Sequence, residues 1–87
     1  MHPALKRADP QTLRAFHAIA CEIAEQMVEG VADGTITAQT FDACARFHCE
    51  HWLAQHKEDV PASRHAVFTD IMLDALRDAF GMRTANA

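Results

Sequence analysis

Apolar side chains return every three or four residues through three stretches of the chain, and short polar segments separate them. Leu13, Phe16, Ala20, Ile23, Ala24, Met27 and Val31 share one face at about 100° per residue, with Glu22, Glu25, Gln26 and Glu29 opposite. Phe41, Cys44, Ala45, His48 and Trp52 form a second apolar face, and Asp42, Arg46, Glu50 and Lys57 turn away from it. Phe68, Ile71, Met72, Ala75, Leu76, Ala79 and Phe80 make the third. Strand-type alternation, internal repeats and low-complexity runs are absent from the sequence. The pattern predicts an all-α fold, a three-helix up-down-up bundle.

Local signals place the boundaries. Asp9-Pro10 reads as an N-cap followed by proline at the first helical position, where the missing N–H costs nothing. Asp33-Gly34 reads as the stop, because glycine tolerates the left-handed backbone of a C-cap. Thr37 reads as the cap of the second helix, with Ile36 and Phe41 at hydrophobic-staple spacing. Pro61 suits the first turn of the third helix, and Gly81 ends it. The expected helices span about 10–33, 37–57 and 61–80. Residues 1–9 form a flexible arm in this reading and 81–87 a flexible tail.

An 87-residue chain that is 49% hydrophobic and 23% charged reads as one soluble globular domain of 10–80. A chain this short buries only about 60–65% of its unfolded surface. Ile19, Phe47, Val67 and Leu73 flank the main stripes, so a homodimer that covers them and completes the bundle is expected. No apolar run reaches the roughly 20 residues of a membrane span. The opening "MHPALKRADP" lacks the apolar stretch of a secretory signal, and the expected location is cytoplasmic. Three cysteines, an odd number, fit reduced thiols better than a disulfide framework.

A formal charge of −4 argues against a nucleic-acid partner, since Lys and Arg supply the attraction to phosphate. The charge pattern points instead to a protein partner with a basic surface. Asp70, Asp74 and Asp78 recur at every fourth residue, where like charges cost a helix about 0.2–0.5 kcal/mol per pair. Asp74 and Asp78 also oppose the helix dipole. With Glu22, Glu25 and Glu29 on the first helix, they are the candidate partner-binding residues.

The densest chemistry lies in "CARFHCEHWLAQH", residues 44–56. A zinc finger is excluded, because Cys44 and Cys49 point about 140° apart on one helix. Cys44, His48 and His51 do share a row, and Cys21 on the first helix is the remaining candidate metal ligand. That row supports the alternative function, a metal-binding or thiol-sensing helical protein using Cys44 and His48. Packing at a helix seam explains the same residues, because free cysteine behaves as a small hydrophobe. No glycine-rich phosphate loop, serine-based motif or oxyanion-type loop accompanies them, so the chain is expected to be non-enzymatic and free of cofactors. The leading expectation is a regulator, adaptor or inhibitor of a larger bacterial machine. Abundant Ala and an excess of Arg over Lys suit a phage- or plasmid-type accessory protein.

Overall fold

The carboxylate of Asp9 accepts the Thr12 N–H at 2.7 Å, and the first helix begins behind that cap at Pro10. A computed structural model describes residues 2–82 and contains three α-helices: α1 Pro10–Ala32, α2 Phe41–Gln55 and α3 His65–Ala79. Each helix packs against the other two, giving the all-α three-helix bundle. Among the described residues, no helix is long and apolar enough to cross a membrane.

Both glycine stops behave as the sequence predicts. Gly34 takes φ +83 and Gly81 φ +67, the left-handed region that costs other residues a Cβ clash. After α3 the amides of Gly81 and Met82 turn back to the carbonyls of Asp78 and Arg77, at 3.3 and 2.7 Å. This Schellman arrangement satisfies the last carbonyls of the helix and folds Met82 onto the core.

The two later helices start further along than expected. Thr37 does not begin α2. Instead the Thr37 N–H donates to Thr40 Oγ1 at 3.0 Å and the Thr40 N–H to Thr37 Oγ1 at 3.3 Å. This reciprocal pair holds 37–40 as a turn, and α-helical bonding begins with the Cys44 amide on the Thr40 carbonyl. Pro61 likewise does not open α3; it precedes a 3-10 turn, Ala62–Arg64. The His65 ring donates from Nε2 to the Val60 carbonyl at 3.0 Å, and so pins the kinked approach. Before α1, Pro3–Leu5 forms a 3-10 turn capped by His2, and Leu5 packs against the core. The expected tail falls largely on 83–87, which lie outside the described residues.

The core draws Ile23 and Met27 from α1, then Phe41, Ala45, Cys49 and Leu53 from α2. Phe68, Ile71, Met72, Leu73 and Leu76 of α3 complete it. Two expectations need correction here. The buried face of α2 runs through Phe41, Ala45, Cys49 and Leu53, whereas Cys44, His48 and Trp52 are only half-buried on the neighbouring flank. Leu73 is not a flanking surface residue: it is 1% exposed inside the core. Trp52 explains the first shift. Its indole stacks on Phe68 of α3 at 5.2 Å and on His56 at 3.8 Å, while Nε1–H donates to Glu22 of α1 at 3.0 Å. An indole needs apolar contact for its body and a partner for its N–H, and a seam position supplies both.

Candidate functional site

The row read as a possible metal site does not converge. Cys44 and His48 lie half-buried on one flank of α2, and His51 is exposed beyond them. The His48 ring stands edge-on to Phe47 at 5.4 Å, and Phe47 stacks on His51 at 6.5 Å. Burial, aided by the charge of His51, holds the His48 imidazole below its ordinary pKa. Among the described residues, no three His, Cys, Asp or Glu side chains are grouped to hold one ion. Cys21 on α1 is paired with its own helix neighbour, the Sγ lying 3.6 Å from His17 Nε2.

The three thiols occupy different environments. Cys49 is 0% exposed, and burial pushes its pKa from 9.0 to about 11. Cys44 is half-buried against the core, and Cys21 is exposed. The buried thiol makes stability depend on alkaline pH. Below pH 9 the Cys49 thiol is protonated in both the folded and unfolded chains; between pH 9 and 11 only the unfolded chain loses its proton. Stability is therefore fully present below that window and falls as pH rises through it. Cys49→Ala, despite a lower melting point at neutral pH, should show a shallower decline, measured by thermal melts across the window. Parallel declines would place the alkaline sensitivity elsewhere.

The acidic residues divide into two groups. Glu22 is occupied by the Trp52 indole, whereas Glu25 and Glu29 are exposed on the outer ridge of α1. On α3, Asp70 borders the groove toward α2, beside Arg46, Glu50 and Lys57. Asp74 and Asp78 border the groove toward α1, beside His2 and His17. A spacing of four residues advances about 40° around a helix, and two such steps carry the row from one flank to the other. The stripe is an arc across the outer side of α3.

Asp42 also differs from a free outward charge. It accepts a two-pronged contact from Arg77, Nε at 2.9 Å and Nη2 at 2.7 Å, tying the start of α2 to the end of α3. The guanidinium holds the Asp42 carboxyl below its usual range. Each charge sits at the helix end whose dipole favours it. The pair is 35 residues apart in sequence, and helical periodicity alone has no means of finding it.

Two surface features remain. Phe47 is 64% exposed, pointing away from the Phe41–Leu53 face of α2. An apolar groove of about 400 Å³ runs between Leu5, Phe16 and Ile19 on one side and Val60, Val67 and Phe68 on the other. Asp59 and Arg64 supply charges of both signs along its lining. Neither feature brings a nucleophile, a base and an orienting group together.

No family model, curated protein or solved structure matches this chain. The function has to be argued from its own surface.

Proposed function

We propose that this chain is a small non-enzymatic helical module that acts by binding another protein, as a regulator, adaptor or inhibitor. Phe47 is the observation that carries the reading. A phenylalanine side chain that could bury about 150–250 Å² instead stands 64% exposed, braced by the rings of His48 and His51. Bracing within one helix reduces the rotamer freedom lost on docking, and aromatic anchors of this kind dominate binding energies at protein interfaces.

Charge supports a basic partner. The chain is acidic overall, and Asp70, Asp74, Asp78, Glu25 and Glu29 cover the outer sides of α3 and α1. Such charges raise association rates more than they add to affinity. A homodimer remains part of the proposal, with Phe47 and the 40%-exposed Val67 as the apolar groups it would cover. A bacterial setting, including a phage- or plasmid-encoded one, belongs to the same reading and rests on composition.

The test is a comparative pull-down from host lysate with wild type, Phe47→Ser and Asp70→Asn/Asp74→Asn/Asp78→Asn. A partner retained by wild type, lost with Phe47→Ser and weakened mainly at low salt by the triple variant supports the reading. Phe47→Ser should melt within about 0.5 kcal/mol of wild type, as exposed substitutions do, and a melt of the triple variant separates lost binding from lost stability. A partner list identical for all three would remove both surfaces from the proposal.

A further inference from the structure

The side of α2 turned away from the core carries a pattern of its own. Ala43, Phe47 and Ala54 are exposed there, opposite the buried Phe41, Ala45, Cys49 and Leu53. With Glu50 they follow a spacing of four, three and four residues, the spacing of a seam along which two helices pair. Phe47 stands 64% exposed in the middle of that seam, edge-on to the His48 ring and stacked on that of His51. Arg46 and Glu50, both exposed, lie together on one flank of it. The alanines on either side of Phe47 leave room for a second helix to approach.

We propose that this seam pairs with the same seam of a second copy of the chain, α2 against α2, antiparallel about a twofold axis. The inference rests on Phe47 being a protein-binding anchor, and it names what that anchor meets. A twofold axis perpendicular to two antiparallel helices sets each flank against its own counterpart. At a rise of about 1.5 Å per residue, an axis level with position 48 puts Arg46 of each copy level with Glu50 of the other. The two Phe47 side chains then start within about 3 Å of one another along the helices and pack ring on ring across the axis. Ala43 comes level with Ala54 of the second copy to within about 2 Å, where both side chains are small. One axis position serves all of these pairings.

Charge selects this face for self-pairing. The chain carries a formal charge of −4, so a symmetric contact has to avoid setting acid against acid. The outer ridge of α1, with Glu25 and Glu29 exposed, does the opposite. Around the proposed axis the two Arg46 and two Glu50 side chains alternate in sign, and each has an opposite charge level with it in the other copy. The contact is a single pair of 15-residue helices, small beside a standard interface of about 1,600 Å². The dimer is therefore weak and depends on concentration.

The experiment is sedimentation equilibrium on the full chain from about 10 µM to about 1 mM. Wild type should pass from monomer to dimer in that range, and Phe47→Ser should stay monomeric with an unchanged helical signal. Arg46→Glu and Glu50→Arg, each alone, gather four like charges at the axis and should weaken dimerisation by about tenfold. Mixed in equal amounts, the two variants should form a heterodimer at least as tight as the wild-type dimer, because opposite charges again lie level. An unfolded variant could not give that rescue. A wild-type monomer throughout the range, or no heterodimer from the mixture, would overturn the pairing. A dimer broken by Val67→Ser and not by Phe47→Ser would overturn it too. If wild type is monomeric but still captures a lysate partner through Phe47, the pairing fails and the regulator reading stands. If the dimer forms as described but wild type and Phe47→Ser capture the same lysate proteins, the pairing stands and the reading of Phe47 as an anchor for a different protein fails.

Discussion

Phe41→Ala should cost about 3–5 kcal/mol. Phe41 is 1% exposed, sits at the start of α2, and meets the Phe80 ring edge-on at 5.8 Å. Truncation opens a cavity where α2 joins the end of α3, beside the Asp42–Arg77 pair. An 87-residue domain typically has about 4–13 kcal/mol of total stability, so one ring accounts for a large part of it. At about 4–8 °C per kcal/mol, the melting point should fall by roughly 15–30 °C. Phe47→Ala, six residues along the same helix, should change stability by less than about 0.5 kcal/mol. Similar losses at the two positions would mean that α2 is rotated from the face described above.

That contrast also marks how far periodicity could go. On α1 and α3 the polar and apolar sides are distinct, and the reading found Ile23, Met27, Phe68, Ile71, Met72 and Leu76 as inner residues. On α2 apolar side chains surround the helix: Phe41, Cys44, Ala45, Phe47, Cys49, Trp52, Leu53 and Ala54 leave no clean polar arc. A helix of that kind takes its orientation from what it packs against. The stacking of Trp52 on Phe68 and its hydrogen bond to Glu22 draw that ring to the seam, and Cys49 turns inward. These are long-range contacts, invisible to a count of spacings within α2. Caps were legible for the opposite reason: Asp9, Gly34 and Gly81 act on backbone groups within a few residues.

The chemical groups divide along the same line. Cys21 is legible in the sequence as a donor for a metal shared with α2, whereas the structure pairs it with His17, one turn earlier on its own helix. Their contact with each other is local, whereas sharing an ion with Cys44 and His48 required a register between helices that the bundle does not provide. Phe47 was visible as an apolar group beside the main stripe, and its exposure follows once Cys49 takes the inner position. Leu73 moved the other way, because α3 packs against both other helices and buries a wide arc of its surface.

Gly30 gives the sharpest conflict between local preference and packing. Glycine inside a helix is less favourable than alanine by about 0.8–1 kcal/mol, so propensity alone predicts that Gly30→Ala stabilises the protein. The added methyl would lie 2.6 Å from Ile36 Cδ1 and 2.8 Å from Cγ1. Rotating the far methyl of Ile36 does not relieve the second contact, and the Ile36 N–H is held by the Gly30 carbonyl at 2.8 Å. Overpacking of this kind costs about 1–3 kcal/mol, more than the propensity gain at most of that range. Gly30→Ala is therefore expected to lower stability by about 1 kcal/mol in the wild-type background. In an Ile36→Ala background the same substitution should raise it by about 0.5–1 kcal/mol. Urea unfolding of the four proteins of this cycle reads the reversal directly. If Gly30→Ala stabilises both backgrounds equally, Ile36 does not rest on the bare backbone of Gly30, and the turn from α1 to α2 is held by the Gly34 cap without it.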